Sequence, residues 1–265
     1  MRALPEDRVD NPLLTDQQLD IERRAARLLA SPETVAVREA VAARWLDAVK
    51  ASPELRAVFD AEFEQVAFCS AMNAFNADPG HPRVHAFGRF AHLDGAMRVP
   101  GTKSGNPCPD YVYRFIPVSV EHRYVIEGRL PAQPAVAFEV GRIDAQQVYQ
   151  GTVSAHELVI DRDGRFRITI DAEPASGRPN HIRSRPGACQ VIVRDVLGDV
   201  AVHRPYHLRV GRAGPGKAPA PRDEDTARRF GLELHKFVAD LAAAIGMSVA
   251  RRAPTRFATP ACPGD

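Results

Sequence analysis

Through the first third of the chain, apolar residues recur at helical spacing. Val37, Val41, Trp45 and Val49 repeat every four residues, and Leu55, Val58, Phe59, Phe63 and Val66 trace one face of a later segment. Thr15 and Gln18 form a capping-box pattern ahead of a stretch rich in Arg, Ala and Leu, which predicts a first helix over Thr15 to Ala30. Ser31-Pro32-Glu33 and Ser52-Pro53-Glu54 open the next two helices: serine caps, proline presets the first helical φ, and glutamate suits the positive helix end. The lone tryptophan, Trp45, lies on an apolar stripe and is expected in a core.

After Asn76 the period changes. Asp78-Pro79-Gly80 and His81-Pro82 break the helix, and short runs rich in Val, Ile, Phe and Tyr follow. Strands are predicted over Val84 to Leu93, Tyr111 to Val118, Tyr124 to Arg129, Ala135 to Ile143, Val148 to Ser154, Leu158 to Asp161, Phe166 to Asp171 and Gln190 to Asp195. Alternation on both sides of Asp163-Gly164 predicts a hairpin that pairs Glu157 to Asp161 with Arg165 to Asp171. Many short strands without a βαβ rhythm give an α+β class: a helical N-terminal region, an antiparallel β-sandwich or jelly-roll-like body, and one C-terminal helix. The expected divisions are a helical region at 1–80 packed on the body, a β domain at 81–210, a linker at 211–222 and a helix at 223–250. Phe230, Leu234, Phe237, Val238 and Leu241 mark the apolar face of that last helix, and the tail after Arg251 is expected to be disordered.

Composition narrows the partners. Lys plus Arg number 35 against 33 Asp plus Glu, a balance of +2 that is too even for the field expected of a nucleic-acid binder. Cys69, Cys108, Cys189 and Cys262 are widely spread, without a C-x-x-C pair, so a reduced, cytoplasmic protein is expected. No run approaches the ~20 apolar residues of a membrane span. A chain of this length can bury an ordinary core, so its stability requires no cofactor. The oligomeric state stays open.

Two stretches are denser in polar residues than folding requires: Gly105 to Arg114 and Ser176 to Arg183. In the first, Asp110 and Arg114 fall on the same side of an extended chain, where they could orient a polar group or form an internal salt bridge. In the second, Asn180 both donates and accepts, and His181 suits proton transfer near neutral pH. Asp195 is a candidate partner for His181; it shares a strand face with Val191 and Val193, while Arg194 lies on the other. The candidate catalytic residues are His181, Asp110 and Asp195, and the candidate substrate-binding residues are Tyr113, Arg114, Asn180 and Arg194. A metal site would have to use His81, His85 and His92, or His203 and His207, but Pro82 and Pro205 keep both sets off a common helix face, so none is expected. Walker, G-x-S-x-G, G-x-G-x-x-G and H-E-x-x-H motifs are absent.

Gly105-Asn-Pro-Cys-Pro-Asp110-Tyr-Val-Tyr113-Arg114, followed by Arg123-Tyr124-Val-Ile-Glu-Gly128-Arg129, resembles the bacterial domain-of-unknown-function family numbered twelve-fourteen over roughly Gly105 to Asp199. Cys108 and Pro109 stand where that pattern has a tighter Asn-Pro-Asp run. The resemblance implies a β-sandwich-like domain and no established reaction. The expected function is an enzyme acting on a small, fairly apolar metabolite by acid/base chemistry, with a non-catalytic small-molecule-binding module as the alternative. Exposure of Tyr111, Tyr113 and Phe115 along one strand would favour sugar stacking.

Overall fold

The structure, a computed structural model, describes residues 11–103, 108, 110–144, 149–214 and 226–235. Helix α1 (Asp16–Leu29) starts where the capping box places it, with Thr15 Oγ1 accepting from the Gln18 amide at 3.1 Å. Helices α2 (Pro32–Ala48) and α3 (Pro53–Phe75) begin at the two Ser-Pro punctuations. From Val66 to Met72 every residue of α3 is buried, the signature of a helix covered on all sides. Ile21, Ala25, Val41, Val99, Phe230 and Leu234 contribute to the helical core around it. Trp45 packs edge-on against Phe59 at 5.2 Å, on the rim of that core. Leu55 and Val58, expected on the same buried face as Phe59, are exposed.

Among the described residues eleven strands follow: β1 (His85–Phe87), β2 (His92–Asp94), β3 (Met97–Val99), β4 (Tyr111–Pro117), β5 (Arg123–Arg129), β6 (Ala137–Asp144), β7 (Tyr149–Ser154), β8 (Arg165–Asp171), β9 (His181–Arg183), β10 (Ala188–Val196) and β11 (His207–Ala213). They form a five-stranded sheet in the order β1-β4-β10-β6-β7, a four-stranded sheet in the order β11-β5-β8-β9 and the small β2-β3 hairpin. Pairing is antiparallel throughout the named strands except between β8 and β9. Alternation drives the packing. Ile116, Val140, Val191 and Val193 from one sheet meet Ile126, Ile168, Ile170 and Leu208 from the other in a single apolar layer. Tyr124 crosses this layer fully buried; its hydroxyl donates to Pro79 O and accepts from Ser119 N, and burial pushes its pKa up to about 12.

Side-chain carboxamides join the helices to the sheet edges. Gln18 accepts from Ala86 N at 2.7 Å and donates to Ala86 O at 3.3 Å, as a neighbouring strand would. Gln17 donates to Val210 O at 2.8 Å and accepts from both Val84 N and Val210 N, which closes the seam between the start of β1 and the edge of β11. Asn76, the α3 C-cap, pairs in the same way with the amide and carbonyl of Arg83. On the opposite side β7 approaches β9, so the two sheets nearly complete a circuit.

The expected strands differ from the structure at several points. The run Val84 to Leu93 is broken at Gly88, whose φ of 72° no extended strand holds, and its last two residues belong to the β2-β3 hairpin. The Asp-Gly turn forms, with Gly164 N donating to Asp161 O at 3.1 Å, but Leu158 to Asp161 is not a strand. The Asn180 carboxamide binds Val159 N at 2.8 Å and Val159 O at 2.7 Å and takes the place of a partner strand. Strands β3, β9 and β11 have no counterpart among the expected strands, and β11 runs to Ala213, inside the expected linker. The rest of the expected linker from 215, the remainder of the expected C-terminal helix and the tail lie outside the described residues; 226–235 is helical. Among the described residues no helix is long and apolar enough to cross a membrane.

Gly128 in β5 sits directly under the Phe166 ring, where a Cβ would overlap the ring atoms. Gly128→Ala is expected to destabilise the protein by about 1–3 kcal/mol, read as a lower midpoint in urea unfolding.

Candidate functional site

The predicted catalytic residues do not converge. Asp195 lies on the inner face of β10, fully buried, and is paired with Arg114 of β4 rather than with His181. Arg114 Nη2 donates to Asp195 Oδ2 and Arg114 Nη1 to Tyr206 O at 2.6 Å, while Tyr206 N donates to Asp195 Oδ1 at 2.9 Å. Burial pushes the Asp195 carboxyl up and the Arg114 guanidinium down, and each draws the other back toward its charged form. The pair ties the approach to β11 in one sheet to two strands of the other. Asp110 is exposed just before β4, where its carbonyl accepts from Leu197 N.

His181 sits at the opposite end of the four-stranded sheet, beside Thr169. Its side chain is 1% exposed, with Nδ1 2.9 Å from Thr169 Oγ1 and Nε2 2.9 Å from Glu173 O. A carbonyl can only accept, so Nε2 donates to it, and in the neutral ring Nδ1 accepts from the threonine hydroxyl. Both nitrogens are occupied within the protein. Over them the loop 172–180 is stapled down by Arg178, which grips both oxygens of Asp171 at 2.9 and 3.1 Å, with Arg123 on the same carboxylate. This grip holds the Asp171 carboxyl below its usual range. Asn180, at φ 49°, belongs to the same structural loop.

Tyr113 and Arg194 do come together, on the outer face of the five-stranded sheet. The register places Phe87, Tyr113, Arg194, Glu139 and Ser154 in one row across all five strands. A groove of about 440 Å³ lies over this row and is lined by Tyr111, Tyr113, Glu139, Ser154, His156 and Arg194 among others. Arg194 and Asp195 are neighbours in sequence and face opposite sides of one strand. On one flank Tyr111 stacks on Tyr113 at 5.5 Å, Tyr113 on Phe87 at 5.4 Å and Phe87 on Phe115 at 4.6 Å. Ring faces are thus largely spent on one another. Tyr113 and Phe115 are half-buried, and Tyr111 is 36% exposed, which leaves little open platform for a sugar.

On the other flank Arg194 Nη1 lies 3.5 Å from Glu139 Oε1, a long contact between partly exposed groups that contributes little to stability. Ser154 donates from its amide and hydroxyl to Glu157, whose carboxyl is held below its usual range by those bonds. The groove therefore offers a cation, an anion, hydroxyls and aromatic rings on rigid strands. Glu139, Ser154 and His156 were not forecast, since only the register of β6 and β7 brings them beside Tyr113.

A second polar cluster also escaped the sequence reading. Glu22 is 2% exposed between α1 and the sheet, bonded to Gln18 and Arg89 and 3.2 Å from His92 Nε2. Its signal was a carboxylate on the stripe of Gln18, Ala25 and Leu29. His85 lies nearby, 1% exposed, and burial lowers its pKa to about 3. His81 instead pairs with Asp78, and His203 accepts from Asp199 N.

No family model matches the chain, and no curated protein matches its sequence. Among solved structures it is similar to an uncharacterized protein from Burkholderia cenocepacia, with a TM-score of 0.59 and 20% identity. That alignment covers 84% of this chain, which spans 63% of the length of the Burkholderia protein. The likeness shows a shared fold. The VPA0106 protein from Vibrio parahaemolyticus aligns over 51% of this chain and 31% of its own, at 13% identity and a TM-score of 0.31.

Two outcomes follow. Arg114→Met leaves Asp195 buried without its cation and is expected to cost about 3–5 kcal/mol, much of it recovered when Asp195→Leu is added, as measured by chemical denaturation. Because the native pKa of Asp171 is depressed, its contribution to stability is present above the unfolded value near ~4 and is lost as pH falls through the native one. Acid titration of the melting temperature should accordingly show a shallower loss in Arg178→Ala than in the wild type.

Proposed function

We propose that this protein is a small-molecule-binding module, acting in the cytoplasm, whose ligand occupies the groove on the outer face of the five-stranded sheet. The observation that carries the reading is the row Tyr113, Arg194, Glu139 and Ser154, which sets a guanidinium, a carboxylate and hydroxyls beside stacked rings on adjacent strands. Such a surface suits a compact ligand with a small apolar body and a polar or anionic end: the body packs against the ring edges that the stack of Tyr111 and Tyr113 leaves exposed, and the end meets Arg194. A rigid sheet holds these groups in place before the ligand arrives, which reduces the ordering cost of binding. The likeness to the family numbered twelve-fourteen belongs to the same proposal and is supported by the sandwich that it implied.

Binding is favoured over acid/base catalysis because the predicted proton-transfer residues are separated. His181 has both nitrogens occupied, and Asp195 is neutralised by Arg114 inside the core.

The test is native mass spectrometry of the purified protein incubated with an extract of its host. A small molecule retained unchanged by the wild type, and lost at least tenfold in Arg194→Ala and in Tyr113→Ala, is the expected result. His181→Ala should retain that adduct and melt at a lower temperature. A metabolite that is consumed, with turnover abolished by His181→Ala, would overturn the reading in favour of an enzyme.

A further inference from the structure

The near-neutral balance of the chain says nothing about where the charges lie, and the register sorts them unevenly. In the four-stranded sheet Leu208, Val210, Ile126, Phe166, Ile168, Ile170 and Ile182 point inward. Alternation then turns Arg123 and Arg129 of β5, Arg165 and Arg167 of β8, Arg183 of β9 and Arg209 of β11 to the outer face. Arg129 stands beside Arg165 and His207, and Glu127 separates Arg209 from Arg167. Six guanidinium groups thus share the face with two carboxylates, Glu127 and the buried Asp171, and Arg178 adds another cation from the loop above. Arg123, Arg165, Arg167 and Arg183 are exposed; Arg123 also contacts Asp171, and Arg183 donates to Ala172 O. Asp161 and Asp163 edge the face at the β8 turn, where Asp161 is committed to the turn amides.

We infer that this face docks the phosphate backbone of a nucleic-acid duplex, without reading its sequence. Three observations favour that occupant. All the strand cations are arginine, whose planar fork binds phosphate through two parallel hydrogen bonds. They stand on a rigid lattice of fixed spacing, which suits a regular array of phosphates. The outer strand positions carry no Phe, Tyr or Trp, the broad rings on which the bases of single strands stack. None of the exposed large hydrophobic residues lies on the face either, and a membrane-docking surface uses such residues to enter the headgroup layer.

The experiment titrates the full chain into fluorescently labelled duplexes of two unrelated sequences and follows anisotropy from low to physiological salt. Both duplexes should bind equally, with a log–log salt slope of roughly −4 to −5 if four to six phosphates are neutralised. The double variant Arg165→Glu with Arg167→Glu should weaken binding at least tenfold while keeping the wild-type melting temperature, and Arg194→Ala, in the groove, should bind as the wild type does. Absence of duplex binding at low salt would overturn the inference. So would binding unchanged by the charge reversals, or capture of phosphatidylserine vesicles or polyglutamate but not of duplex.

Discussion

A sheet edge carries backbone N–H and C=O groups that must be bonded somewhere, and the arrangement of this protein depends on how those edges are satisfied. Where strands run out, carboxamides stand in for them, because an amide side chain offers the same donor and acceptor as a peptide unit. Gln18 covers the edge of β1, Gln17 bridges from Val84 to β11, Asn76 pairs with Arg83 and Asn180 with Val159. These contacts decide where the helices sit. Helix α1 lies along the seam between the sheets because its first turn carries two consecutive glutamines that reach different strands, and the helical core then assembles behind it around α3.

With the edges closed, the faces differ in character. The layer between the sheets holds the ion pair of Arg114 with Asp195, and the backbone of Tyr206 bonds to both partners and links the sheets at one end. At the other end Asp171 gathers Arg123 and Arg178 and holds a loop over His181. Strong polar interactions are therefore concentrated at joints between elements. The outer face of the five-stranded sheet, by contrast, offers Arg194 and Glu139 in a loose contact, beside rings that pack mainly on each other.

The elements were legible wherever local chemistry decides them. Thr15, Pro32 and Pro53 mark their helix starts directly, and the alternation Val191, Val193, Asp195 identifies the inner face of β10. Alternation does not say who bonds whom, however, so Glu157 to Asp161 reads as a strand although a side chain is its partner. Strand β11 was obscured because Gly211 continues into a run of glycine and proline. At the candidate site, Tyr113 and Arg194 could be named from their strands. That Arg114 answers Asp195, 81 residues away, depends on the pairing of β4 with β10, which no spacing along the chain encodes.

The seam closed by Gln17 bears on when the protein can be completed. Its bond to Val210 spans 193 residues, so during synthesis the first helix is made long before the strand it must meet. Until β11 has left the ribosome, Gln17 and the edge of β1 have no finished sandwich to close. Loop closure over such a separation carries an entropic cost, and this one contact of the helix waits on β11 even though its packing against α3 and β1 does not.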